Sequence, residues 1–209
     1  MRQADAGHLR ISLVAPSGSG KSSTAAFMLE RCAMLGLSAR VVKLAEPLYD
    51  LQRRFYAVAG IDIPDKAQNQ RLMEAIATHL RLITPDALVR DFLRRLHAEH
   101  TDVVINDDLR DMATDLPALR REGFVTVRVS ADPTVIRSRL AIRQDLQIET
   151  ASPLDRAVLS ETPDYVIVNT GDDIDAYRRQ VHRFVDLMIA ERADGLMPAE
   201  AAAGLGGRR

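Results

Sequence analysis

A single short stretch constrains this chain more than any other. The apolar run Arg10–Ala15 (RISLVA) leads directly into Ala15-Pro-Ser-Gly-Ser-Gly-Lys-Ser22, and a helical pattern with Ala25, Ala26, Met28 and Leu29 follows. Strand, glycine-rich turn and helix in this order make the G-x-x-x-x-G-K-[ST] phosphate loop, with Ala15 in place of the first glycine. Gly18 and Gly20 let the backbone turn tightly enough for the N–H groups of Ser17 through Ser23 to point inward at phosphate oxygens. The start of the helix adds its partial positive charge. Lys21 is placed to reach the β- and γ-phosphates, and the Ser22 hydroxyl to ligate Mg²⁺. Ala15 costs little, because its Cβ lies at the strand end and outside the cradle.

A phosphate loop needs a parallel sheet behind it, and the rest of the chain reads that way. Further β-branched runs occur at Arg40–Ala45, Asp102–Asn106, Phe124–Val129 and Tyr165–Val168. Strands this apolar are expected to be buried on both faces. Between them, Leu72, Met73, Ile76, Leu80 and Ile83 recur at helical spacing, as do Leu88, Val89, Phe92, Leu93 and Leu96. Thr84 reads as an N-cap, with Pro85 in the first helical position and Asp86 in the first turn. Tyr177, Val181, Phe184 and Met188 mark a last helix. The expectation is one α/β domain over residues 1–192, a doubly wound five-stranded parallel sheet. A helical acceptor-binding insertion takes about 46–98, a short lid about 132–160, and residues 193–209 read as a disordered tail.

Composition narrows the partners. With 28 basic and 29 acidic side chains the net charge is −1, so no general nucleic-acid surface is expected. One cysteine excludes an internal disulfide and suits a reduced cytoplasmic compartment. The polar start and the short ISLVA run give neither a signal core nor a membrane span.

Candidate reactive groups follow from the strand ends. Asp107 and Asp108 come directly after the run DVVIN, where a carboxylate can hold Mg²⁺ or take a proton from an acceptor hydroxyl. Arg110 stands just past them. Arg139 and Arg143, one turn apart after Asp132-Pro133, share a helix face suited to charge developing on a phosphoryl group, while Arg137 points elsewhere. On the acceptor side, Glu46–Arg95 carries many arginines. Arg53 and Arg81 are the candidates there for bidentate phosphate contact, with Glu46 opening the region.

These residues resemble the phage-type deoxynucleoside monophosphate kinases and, in the C-terminal half, the animal phosphomevalonate kinases, over about residues 9–190. Lys43-Leu-Ala-Glu-Pro-Leu48 is similar to a segment that begins the acceptor region. Ala77-Thr78, Arg81 and Ile83-Thr-Pro-Asp-Ala-Leu-Val89 resemble a following stretch, with Ala77 for Gly and Leu88 for Trp. Asp108-Leu-Arg110 matches a D-x-R motif, and Ser160-Glu161 with Asp164-Tyr-Val-Ile-Val-Asn169-Thr-Gly171 resembles the closing motif. Asp111-Met-Ala-Thr-Asp115 departs from the family's Phe-Pro-Asn-Glu. The resemblance implies ATP- and Mg²⁺-dependent conversion of a monophosphate to a diphosphate. It puts Asp108 and Arg110 at the reaction centre, Arg81 near the acceptor phosphate, and Asn169–Gly171 beside the adenine. Phosphomevalonate, dephospho-coenzyme A or a nucleoside hydroxyl remain alternative acceptors, and a homodimer stays open. A nucleotide-dependent switch is the rival from another class, although no N-K-x-D guanine signature occurs.

Overall fold

The computed structural model describes residues 8–65, 67–142, 153–171 and 173–194. Arg143, part of the lid and most of the C-terminal tail lie outside them. In chain order the elements are β1 (Leu9–Val14), α1 (Lys21–Met34), β2 (Ala39–Val41), α2 (Glu46–Val58), α3 (Gln70–Ile83) and α4 (Ala87–Leu96). There follow β3 (Val103–Asn106), α5 (Asp115–Arg121), β4 (Val125–Ala131), α6 (Pro133–Ile142), α7 (Pro153–Ser160), β5 (Tyr165–Asn169) and α8 (Ile174–Ala193).

The strands form one five-stranded sheet in the order β2-β3-β1-β4-β5. Every pairing in it is parallel. The order reverses at β1: the chain first builds outward to β2, returns to insert β3, then crosses to β4. A crevice opens at such a switch point, outside the carboxyl ends of the strands. The register fixes what stands there, because Ser12 of β1 lies opposite Asn106 of β3. The residues that follow each of them, the glycine-rich loop and Asp107-Asp108, therefore emerge side by side.

Two apolar layers hold the sheet. On one face Ile11, Leu13, Val127 and Ile167 pack against Phe27, Met28, Tyr177 and Val181 of α1 and α8. Arg31 and Asp186 tie these helices through two contacts of 2.8 and 3.1 Å. On the other face Val14, Val104 and Leu109 pack with Phe92 and Leu96 of α4 and with Leu116 and Leu119 of α5. A third small cluster, Leu48, Met73, Ala77 and Leu88, knits α2, α3 and α4 together as the helical insertion. None of the described helices is long and apolar enough to cross a membrane.

Three sequence expectations are corrected. The run Arg40–Ala45 stays in the sheet only as Ala39–Val41. Its later N–H groups on Leu44 and Ala45 instead donate to the Asp108 carboxylate at 2.8 and 2.9 Å, which pulls the chain out of the ladder. Thr84 does not start α4. It closes α3, its N–H bonding the Leu80 carbonyl, and α4 begins at Ala87 behind Asp86. β5 is an edge strand and is not buried on both sides, since Val166 and Val168 are 56% and 50% exposed.

Candidate active site

The loop between β1 and α1 adopts the cradle shape that its glycines allow. Gly18 and Gly20 have φ of 84° and 103°, left-handed values that side chains rarely tolerate. Gly20 also has no room for a Cβ, which would meet Asn169 Nδ2 at 2.5 Å. Asn169, at the end of β5, supports the loop from below by donating to the Ser19 carbonyl at 3.1 Å. Arg139 of α6 joins the same support, its two terminal nitrogens reaching the Ser19 carbonyl at 3.5 Å and Asn169 Oδ1 at 3.2 Å. Ser19 Oγ is buried without a hydrogen-bond partner among the described residues. Lys21 lies folded over the loop, donating to the carbonyls of Ala15 and Pro16 at 2.5 and 3.1 Å.

The two adjacent aspartates after β3 face different ways. Asp107 turns toward α1: its Oδ2 accepts from Ser22 Oγ at 3.3 Å and its Oδ1 pairs with Lys43 Nζ at 2.9 Å. Burial alone would lower the Lys43 ammonium, but the Asp107 and Asp108 charges outweigh it and raise its pKa. Asp108 turns toward the β2–α2 loop and accepts from Leu44 N–H, Ala45 N–H and Asn106 Nδ2. Burial, reinforced by neighbouring Asp107, pushes the Asp108 carboxyl above its ordinary range, against the opposing pull of Lys43 and the two N–H groups. The resemblance put Asp108 at the reaction centre. Its oxygens are engaged by the main chain, and the carboxylate that meets Ser22 is Asp107.

A cleft of about 420 Å³ runs from the glycine-rich loop to the helical insertion. Arg110 crosses it, its Nη2 donating to Ser17 Oγ at 2.9 Å and its Nη1 standing 3.9 Å from Glu74. At the far end Arg81 pairs with Asp111 at 3.0 Å and with Asp115 at 2.6 Å. Tyr49, Gln68, Gln70 and Glu74 complete the polar lining, while Leu48, Met73, Ala77 and Leu88 provide the apolar part. Burial pushes the Asp115 carboxyl up to about 6, helped by the Asp111 charge and opposed by Arg81.

Ser17 through Ser23, Asp107, Asp108, Arg81, Arg110, Arg139 and Asn169 are thus brought around one region, whereas two expected acceptor residues are not. Arg53 lies on α2, paired with Asp50 and 3.9 Å from Asp65, and Glu46 is exposed at the start of that helix; neither lines the cleft. Gly171 sits beside a second groove formed by Asp132, Val135, Val168 and Asn169 at the ends of β4 and β5, with the Val135 side chain against it. Reasoning from sequence missed Lys43, Glu74, Asp111 and Asp115 as site residues. For the last two a signal was present, since Asp111–Asp115 is the stretch that departs from the resembled pattern.

No protein-family model matches the chain, and no curated protein matches it. Among solved structures, a gluconokinase from Sinorhizobium meliloti 1021 is 18% identical with a TM-score of 0.48, covering 90% of this chain and 97% of its own. Shikimate kinase from Acinetobacter baumannii, in complex with shikimate, is 17% identical with a TM-score of 0.49, covering 90% and 97%. The Mycobacterium tuberculosis APS kinase CysC, in complex with AMPPNP and APS, is 17% identical with a TM-score of 0.48, covering 88% and 99%.

Proposed function

We propose that this chain is an ATP-dependent phosphotransferase that phosphorylates a small acceptor, and that the acceptor is a nucleoside or deoxynucleoside monophosphate. The observation that carries the reading is the continuity of one cleft. Its floor is a left-handed glycine cradle with Lys21 and the Ser22–Asp107 pair, Arg110 crosses it from Ser17 toward Glu74, and its far end carries Arg81.

The loop fits a polyphosphate because its left-handed Gly18 and Gly20 give it the cradle shape, and Ser17, Gly18, Gly20, Lys21 and Ser22 all line the cleft. Ser22 and Asp107 offer the hard oxygen donors suited to Mg²⁺, which when bound supplies charge neutralisation at the phosphates. Lys21 swings from the Ala15 and Pro16 carbonyls to the phosphate tail. Arg139 approaches from the lid side, and the groove by Asn169 and Gly171 accommodates the adenine. In the transfer step an oxygen of the acceptor phosphate attacks the γ-phosphorus, the bond from that phosphorus to the β-phosphate oxygen breaks, and ADP leaves. The acceptor oxygen is already ionised, so positioning and charge neutralisation supply most of the rate. Arg110, between the loop and the insertion, lies where the two phosphate groups meet.

One observation favours a second reading. Arg81 is already matched by two carboxylates, which weakens its pull on an acceptor phosphate and suits an acceptor hydroxyl instead. The test is a coupled ADP-release screen with ATP, Mg²⁺ and ribo- and deoxynucleoside monophosphates, phosphomevalonate, dephospho-coenzyme A and unphosphorylated nucleosides. Turnover dependent on a monophosphate supports the proposal. Turnover with nucleosides alone replaces it with the second reading, and ATP hydrolysis indifferent to any acceptor points to a nucleotide-dependent switch. Lys21→Ala is expected to abolish transfer while leaving the circular dichroism unchanged.

A further inference from the structure

The Asp115 side chain is only 5% exposed, yet it lines the cleft. Its Oδ2 binds Arg81 Nη2 at 2.6 Å, while its Oδ1 has no hydrogen-bond partner among the described residues. Arg81 Nε lies 3.0 Å from Asp111 Oδ2 but likewise makes no aligned hydrogen bond. A buried carboxylate oxygen left without a donor is costly, and in a cleft a water or a ligand donor can complete it. Here a buried acceptor without a donor belongs to a residue that lines the cleft, while the guanidinium beside it is already held by Asp111 and Asp115. The apolar wall of Met73, Ala77 and Leu88 lies in the same cleft. An apolar slot bordered by an acceptor of this kind is complementary to the edge of a planar heterocycle that presents an N–H.

We infer that Asp115, oriented by Arg81, selects the acceptor by taking a hydrogen bond from an N–H on its nucleobase, so that acceptors lacking this donor are rejected. The inference rests on the proposed transfer to a monophosphate and names the group that reads the far end of that substrate. The Asp111 charge on the other side of Arg81 leaves the guanidinium electrically matched. The pair therefore reads hydrogen bonds in preference to a second phosphate.

The test pairs each base with a version in which an N–H donor is deleted or blocked. Thymidine monophosphate is set against its N3-methyl form, deoxyguanosine monophosphate against both deoxyinosine monophosphate and its own N1-methyl form, and deoxyadenosine monophosphate against purine deoxyriboside monophosphate. Deoxycytidine monophosphate is set against its 2-pyrimidinone analogue. For the accepted base, kcat/KM is expected to fall at least about tenfold in the donor-deleted partner. In Asp115→Asn, Arg81 holds the amide oxygen and the NH₂ replaces the acceptor. The natural substrate then loses its advantage while KM for ATP stays unchanged. Wild-type turnover that does not distinguish the members of any pair overturns the inference and leaves the phosphotransferase reading in place. So does an Asp115→Asn variant that discriminates as the wild type does. Absence of turnover with every monophosphate removes the underlying reading, and the inference with it. Because the wild-type comparison needs no variant, misfolding of Asp115→Asn cannot decide the outcome.

Discussion

Ionising Asp115 should cost the folded chain stability, and the cost can be read from pH. An ordinary aspartate titrates at 3.8, and burial pushes this one up to about 6. At about 1.4 kcal/mol per pH unit of separation, charging Asp115 is harder in the folded chain by on the order of 3 kcal/mol. The side chain is only 5% exposed, so solvent screening does not reduce this much. Because the folded pKa lies above the unfolded one, the native state holds the proton longer. The Asp115 contribution to stability is then greatest below about pH 4, falls as pH rises toward 6, and is flat above that. Between pH 4.5 and 7 the expected decline is about 2 kcal/mol. Asp91 and Asp102, whose pKa values are lowered by their partners, tilt the whole curve the other way. The informative quantity is therefore the difference between wild type and Asp115→Asn, whose amide does not titrate. Urea denaturation of both across that window, with m-values checked for equality, gives the difference. Losing the ionised partner of Arg81 offsets it by a constant above pH 6 but does not change its slope. A flat difference, or one that rises with pH, would refute the dominance of burial over the Arg81 charge.

Other expectations follow from the same geometry. Gly20→Ala combines a φ of 103° with a Cβ placed 2.5 Å from Asn169 Nδ2, so it should destabilise the fold by about 1–3 kcal/mol and abolish nucleotide binding, measured by thermal melting and titration with an ATP analogue. Lys43→Met leaves the buried Asp107 without its ammonium; with Lys43 itself partly exposed, the loss should be about 1–3 kcal/mol, and the Mg²⁺ concentration for half-maximal rate should change with it. Asp108→Asn strands one of the N–H groups of Leu44 and Ala45, costing about 1–3 kcal/mol and raising KM for the acceptor more than KM for ATP in steady-state kinetics.

What could be read from the sequence is whatever lies within one strand–turn–helix unit. The glycine cradle, Lys21 and Ser22 occupy consecutive positions, and their geometry follows from local backbone requirements. A carboxylate beside the loop was legible because polar residues directly after a buried strand must emerge at the sheet's carboxyl edge, but the sequence left open whether Asp107 or Asp108 would face Ser22. Arg81 with Asp115 was not, since the contact joins the end of α3 to the start of α5 across 34 positions and no periodicity encodes such a distance. The truncation of β2 was hidden for the same reason. Val41–Ala45 has a strand's composition, but a carboxylate 64 residues away from Leu44 competes successfully for its N–H group. Thr84 misled because Thr-Pro-Asp carries start signals for α4 at a position where the chain is still completing the last hydrogen bond of α3.

The adjacency of Asp107 and Asp108 has a mechanical consequence. Neighbouring residues at a strand end project to opposite sides, so the two carboxylates grip different parts of the molecule. One meets Ser22 and Lys43 beside the glycine-rich loop, and the other holds the main chain that leads into α2 and the helical insertion. Lys43 closes the circuit, because it belongs to the segment that Asp108 holds and pairs with Asp107. If the proposed function holds, these contacts tie the acceptor wall to the carboxylate beside Ser22 without a domain motion. The coupling predicts that substitutions in the Lys43–Ala45 segment change the nucleotide and acceptor constants together, whereas those at Arg81 or Asp115 change the acceptor constants alone.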